Sequence, residues 1–347
     1  MFTRIMVPLD GSFRAEQALP VAARIARATH ASLLLVRVVT TINDFALQSM
    51  EWPVDMQSAL DQEDADARAY LTLIKDRAEL QDLNVTALVA EGEAARSILV
   101  TAHDEQADLI VMCSHGYTGF RHWVMGSIAQ KVARYSPIPV FILRDEAVAE
   151  RAKLQDTAAP VCIVVALDGS PLAEEALEPA ASLSIALSLP APGELHLARV
   201  LPLTYTEGKI IVNNDKAITD AQRYLLLIEE RLSRKYDASQ LSVSSSVSLN
   251  VDVAGALVKL AETGADIASL ETSEERVDAG DIIALATHGR GGVERWIMGS
   301  IAERILSITK LPLLIVRPPH VRTQHEQVTQ KKTENIINDT QPMVGIL

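Results

Sequence analysis

Cysteine is nearly absent: Cys113 and Cys162 are the only two in 347 residues. They lie far apart beside apolar strand-like runs, which argues against a disulfide framework and fits a reducing cytoplasm. Long apolar runs are also missing. Although 48% of the residues are hydrophobic, no uninterrupted stretch reaches the ~18 residues that would span a bilayer. The opening MFTRIMVPLDGS passes from one arginine straight into a short apolar strand, without the long apolar core or cleavage site of an export signal. The expectation is a soluble cytoplasmic protein with no membrane partner. Basic charge is short too. With 32 Lys and Arg against 45 Asp and Glu, the net charge is −13, and no basic patch offsets it, so nucleic acid is a poor partner.

Two chemical signatures are missing as well. No G-x-x-x-x-G-K-[ST] occurs, so no lysine is offered to phosphates in the P-loop manner and fast phosphoryl transfer is unsupported. Metal-ligand spacing is absent, and Cys113-Ser114-His115 reads better as a buried strand end than as a catalytic cluster. No catalytic residue and no metal ligand is assigned.

What the chain does contain, it contains twice. RIMVPLDGS (4–12) answers CIVVALDGS (162–170) at an offset of 158, and LLLVRVV (33–39) answers LHLARVL (195–201) at 162. AYLTLI (69–74) pairs with RYLLLI (223–228) at 154, and SHGYTGFRHWVMGSIAQKVA (114–133) with THGRGGVERWIMGSIAERIL (287–306) at 173. The order is the same in both halves, so the chain reads as tandem domains. We place them at 1–147 and 160–318, joined by a polar, alanine-rich linker at 148–159. A surface insertion is expected near 265–280 in the second copy, and 319–347 reads as a disordered polar tail.

Within each copy, short β-branched runs alternate with longer helical patterns, the mark of βαβ units and a parallel sheet. In the first copy, strands are expected at 5–9, 33–39, 85–89, 109–112 and 140–143. Ala15, Ala18, Leu19, Ala22, Ile25 and Ala26 make one helical face after the first strand. A long acidic helix carries Tyr70, Leu73 and Ile74, and another helix spans 94–102. The fold class is α/β, two tandem doubly wound five-stranded parallel-sheet domains.

Ligands of open α/β sheets bind beyond the carboxyl ends of the strands, where strand order reverses. Asp10 and Asp168 follow the first strand of each copy, and the glycine loop follows the fourth. Each loop reads His-Gly, nine residues, Gly-Ser: Gly116 to Gly126-Ser127, and Gly289 to Gly299-Ser300. Glycine admits an anion close to backbone N–H groups, and a helix start adds unpaired donors and a positive dipole end, which suits a phosphate. Ser127-x-x-Gln130 and Ser300-x-x-Glu303 also read as capping boxes whose serines merely cap a helix. Asp10 could meet ribose hydroxyls or cap the next helix, while Ser12 and Ser170 read as caps. Trp123 and Trp296 suggest packing, and Arg290 and Arg295 sit in the second loop alone.

These residues together resemble the universal stress proteins, here as a tandem pair covering nearly all of 2–318. The resemblance rests on V-P-L-D-G-S, V-V-A-L-D-G-S, S-H-G-x9-G-S, T-H-G-x9-G-S and the closing P-I-P-V-F-I-L and K-L-P-L-L-I-V. It implies Rossmann-like domains, similar to adenine nucleotide α-hydrolases, that hold ATP, often with magnesium, through G-x-x-G-x9-G-[ST]. Carried over, Asp10 and Asp168 would meet ribose or adenine, and Val38 and Val200 would line the adenine pocket. Gly116, Gly126, Ser127, Gly289, Gly299 and Ser300 would hold phosphates. The first glycine of that pattern is replaced by Cys113 in one copy and Ala286 in the other. Family pairing through the last strand implies an intramolecular pseudo-dimer through Val140–Leu143 and Leu313–Val316, apolar runs that would be hazardous as bare edges, with a homodimer as further association. The function implied is a nucleotide-binding stress or signalling module. The alternatives are an interaction module of the same fold that binds no nucleotide, and a very slow ATPase.

Overall fold

A computed structural model describes residues 1–39, 54–115, 125–144, 153–154, 159–203, 205–206, 209–210, 215–264, 279–288 and 298–318. The first copy runs β1 (Arg4–Leu9), α1 (Phe13–Glu16), α2 (Ala18–Thr29), β2 (Ser32–Val39), α3 (Val54–Lys75), β3 (Val85–Glu91), α4 (Ala94–Asp104), β4 (Leu109–Cys113), α5 (Ser127–Tyr135) and β5 (Val140–Leu143). The second runs β6 (Cys162–Ala166), α6 (Pro171–Glu174), α7 (Leu177–Ser188), β7 (Gly193–Pro202), a small ribbon of β8 (Tyr205–Thr206) and β9 (Lys209–Ile210), α8 (Asp215–Lys235), β10 (Leu241–Asn250), α9 (Val253–Thr263), β11 (Ile282–Ala286), α10 (Ser300–Ile308) and β12 (Leu313–Val316).

The strands form one ten-stranded sheet in the order β10-β7-β6-β11-β12-β5-β4-β1-β2-β3. Each half is the expected doubly wound parallel sheet, with chain order 3-2-1-4-5 across it. Consecutive residues of β1 supply opposite faces, Ile5 and Val7 to one apolar layer and Met6 to the other, because side chains alternate along a strand. Covered on both sides, such strands need apolar residues throughout, which is why β2 reads SLLLVRVV rather than alternating.

The halves meet where β5 and β12 pair antiparallel, with Leu313 opposite Ile142, Leu314 opposite Phe141 and Ile315 opposite Val140. Both core layers therefore run through both copies. Side chains repeat the symmetry. Arg144, just past β5, donates to the Leu306 carbonyl at the end of α10, and Arg317, just past β12, donates to the Tyr135 carbonyl of α5 at 3.1 Å. Cations belong at helix C-termini, where carbonyls lack intrahelical donors. Arg134 also meets Glu303 at 2.8 Å across the junction. On the other face α2 packs on α7.

Three local features go beyond the pattern of the sequence. The face from Ala15 to Ala26 is buried as expected, but the helix breaks at Gln17 into α1 and α2. On α3 the inward residues are Ala67, Leu71 and Ile74, while Leu73 is 73% exposed, since only the i, i+4, i+7 stripe faces the sheet. Within the stretch expected as a linker, Leu154 is fully buried. Arg24 donates to its carbonyl at 2.7 Å, and Lys153 meets Asp281 at 2.7 Å. Most of the insertion near 265–280 and the tail at 319–347 lie outside the described residues. No helix among the described residues is long and apolar enough to cross a membrane.

Candidate functional site

Strand order reverses between β1 and β4, which pair directly through Ile5 with Leu109 and Met6 with Ile110. The chain leaving each strand therefore ends at one crevice. Past β1, Asp10 Oδ1 accepts the Ser12 amide at 2.9 Å and its hydroxyl at 2.6 Å, while Gly11 takes φ +85. A left-handed φ of that kind favours glycine. The Ser12 hydroxyl oxygen in turn accepts the Ala15 amide at 3.2 Å, so the serine, not the aspartate, caps α1. The second copy repeats this: Asp168 Oδ1 accepts from Ser170 at 2.9 and 2.6 Å, Gly169 has φ +83, and Ser170 caps α6 through Ala173 at 3.2 Å. The aspartates brace a turn rather than cap a helix.

Past β4, the capping-box reading of Ser127 and Ser300 is corrected. The N-cap residues are Gly126 and Gly299, without a side-chain cap bond, and the serines are the first helical residues, both exposed. In the first copy the displacement has a steric cause. Gly126 N–H donates to the Ser114 carbonyl at 2.8 Å, and a Cβ on Gly126 would lie 2.9 Å from that oxygen. Gly299 makes the same 2.8 Å bond to Thr287, but its Cβ would stand 3.4 Å away. In the first copy the contact keeps a side chain out of the cap position, and in both copies the serine stands in the first turn, where N–H groups lack intrahelical acceptors. G126A is expected to cost roughly 1–3 kcal/mol and G299A under about 1 kcal/mol. Urea unfolding of the two variants checks the difference, since any intrinsic alanine penalty at the cap is common to both.

Val38 is half-buried and Val200 buried, each in the apolar layer that also holds Met125 and Met298, the residues before the cap glycines. The structure thus brings Asp10, Val38, Gly126 and Ser127 to one end of the first sheet, and Asp168, Val200, Gly299 and Ser300 to the matching end of the second. Gly116, Gly289, Trp123, Trp296, Arg290 and Arg295 lie outside the described residues. Cys113 is turned to the opposite layer, buried with Sγ 3.9 Å from the Ala15 carbonyl oxygen under α1. Ala286 is half-buried and pairs with Val316.

A second constellation lies beneath the aspartate turn. Arg37 Cζ stands 5.0 Å from the centre of the Tyr70 ring, the Tyr70 hydroxyl donates to Glu16 at 2.9 Å, and Arg77 meets the other Glu16 oxygen at 2.6 Å. In the second copy Arg199 Cζ stands 5.1 Å from the Tyr224 ring, and Arg231 meets Glu174 at 2.8 Å. Burial first, and then the neighbouring glutamate, push both tyrosine hydroxyls far above their ordinary pKa. Arg37 and Tyr70 sit inside two of the repeated segments, so the comparison of halves already held the signal that could have found them.

Two relatives match the sequence over the length of one unit. A universal stress protein of Thermus aquaticus, from the QAH/OAS sulfhydrylase 3′ region, is 33% identical over 148 residues, spanning 42% of this chain and 100% of that protein. Universal stress protein YxiE of Bacillus subtilis is 26% identical over 148 residues, with the same coverage of 42% and 100%. The solved structure of a universal stress protein from Archaeoglobus fulgidus superposes with a TM-score of 0.60 at 19% identity, covering 90% of this chain and 98% of that one, a likeness of fold. The Universal stress protein family itself matches residues 1–144 and again 162–317, so this chain belongs to that family as a tandem member.

Proposed function

We propose that the protein is a stress-response module that binds an adenine nucleotide, ATP foremost, at the carboxyl ends of the strands in each copy. The observation that carries this reading is the doubled pairing of a braced Asp-Gly-Ser turn with a helix start whose cap is glycine and whose first serine is exposed. Asp10 and Asp168 meet the ribose or adenine, and Val38 and Val200 line the base. The loop glycines and the Gly126-Ser127 and Gly299-Ser300 helix starts receive phosphates through backbone N–H groups and the dipole. Among the described residues no three His, Cys, Asp or Glu side chains gather as metal ligands, so magnesium would come in on the phosphates. The copies signal as one body through the β5–β12 junction, and further copies associate outside it.

Calorimetric titration with ATP and magnesium tests this. The expected result is two binding events, of which Asp10→Ala and Asp168→Ala each remove one; no heat and no thermal shift at millimolar ligand would end the reading. A second reading, an interaction module without nucleotide, is motivated by Cys113 and Ala286 in place of the family glycine. The inward turn of Cys113 weakens that motive in the first copy. Nucleotide retained by the purified protein would exclude it.

A further inference from the structure

Most surface ion pairs differ between the copies. Arg27 pairs with Asp82 at 2.6 Å, but Ile185 and Tyr236 stand at the matching positions. Isolated exposed pairs contribute little, so nothing holds them in place. The Arg-Tyr-Glu-Arg group behaves differently. All four members recur: Arg37 as Arg199, Tyr70 as Tyr224, Glu16 as Glu174 and Arg77 as Arg231. In the first copy they come from β2, α1, α3 and the turn after it; the second copy repeats the Arg–Tyr contact and the Arg–Glu ion pair but not the tyrosine–glutamate hydrogen bond.

That geometry points at the aspartate turn. A Cβ on Gly11 would lie 3.5 Å from Cζ, Nη1 and Nη2 of Arg37 alike, so the guanidinium lies flat against the turn, with its Cζ also over the Tyr70 ring at 5.0 Å. Only a planar cation can stack in this way; lysine cannot. Glu16 fixes the tyrosine and is itself held by Arg77. Arg37 leaves β2 on the face opposite Val38. It is also separated from the phosphate-suited helix start by β1, which lies between β2 and β4.

We propose that Arg37 is a positioning residue of the first site, holding its Asp-Gly-Ser turn in the shape that presents Asp10 to the nucleoside half of the ligand. The ligand part of this proposal rests on the nucleotide reading above; the positioning part does not.

Adenosine and ATP are titrated into the full chain carrying Asp168→Ala, which leaves the first site as the reporter, with and without R37M. The expected result is that R37M weakens adenosine and ATP by the same factor, about tenfold, and that R37K recovers little of it. Loss for ATP but not adenosine would make Arg37 a phosphate contact and overturn the proposal, as would no loss for either. Amide exchange of the ligand-free protein supplies the independent arm. R37M is expected to speed exchange at Ser12 and Ala15 about tenfold while Ser170 and Ala173 stay unchanged. Unchanged exchange at Ser12 overturns the positioning role whether or not nucleotide binds. If the parent binds neither ligand but exchange responds, the nucleotide reading fails and the positioning role stands. R37Q replaces R37M should the latter not fold.

Discussion

Phe141→Ala is expected to lower the stability of the chain by about 3–5 kcal/mol. Phe141 is fully buried, on β5 opposite Leu314 of β12, where the two copies join. Its ring lies in an apolar layer that contains Leu109 and Val111 from one copy and Ile163, Val165 and Leu314 from the other. Strands packed on both faces cannot collapse into the space an aromatic ring leaves, so the cavity term adds to the lost transfer free energy. Because that layer is shared, the loss is also expected to uncouple the halves and turn a single unfolding transition into two. Urea unfolding followed by circular dichroism and by tryptophan fluorescence checks both points. A loss under about 1 kcal/mol would show that the junction does not depend on this side chain.

Acid sensitivity should be traceable to one histidine. His196 lies on β7, only 2% exposed, with its two ring nitrogens 2.9 and 2.8 Å from the Ser244 and Ser246 hydroxyls of β10. Burial lowers its pKa from 6.5 to about 4, because the imidazolium is poorly solvated there. The folded chain holds this ring neutral while the unfolded chain binds a proton below about pH 6.5. The contribution is therefore fully present above the unfolded pKa and is lost as pH falls through the folded one, amounting to about 2–3 kcal/mol by pH 4.5. The first copy carries Leu34 at the matching position, also buried. His196→Leu is accordingly expected to lose about 2–3 kcal/mol less than the parent between pH 7.5 and 4.5. Denaturant unfolding at the two pH values gives the comparison, and equal losses would refute the assignment.

The first copy's strands were legible to within about two residues because a sheet covered on both faces demands unbroken apolar runs. Their parallel direction followed from the βαβ rhythm, since crossover helices of this length join parallel strands, whereas their order across the sheet is set by the tertiary pairing. The helix around Tyr70, Leu73 and Ile74 was legible, but AYLTLI is too short a segment to show which of its apolar residues falls on the inward stripe. Only the packing of Leu71 and Ile74 against β2 and β3 decides that. At the site, Asp10, Gly126 and their counterparts stood out by repetition. The capping box misled because it is a statement about local hydrogen bonds, whereas the cap is fixed by the Ser114 carbonyl, which the fold brings against Gly126 from the end of β4.

By itself the sequence determined the class of fold, the duplication and the two turns that flank each crevice, all of which depend on short-range pattern: apolar period, glycine at a tight turn, serine at a helix start. Tertiary structure decided what depends on distant segments meeting. It joined β5 to β12, drew Leu154 into the core, turned Cys113 beneath α1, and set Arg37 between the Asp10 turn and Tyr70. Those contacts are separated by tens to hundreds of residues. No local propensity encodes them, and they follow only when the whole apolar surface of both copies is buried at once.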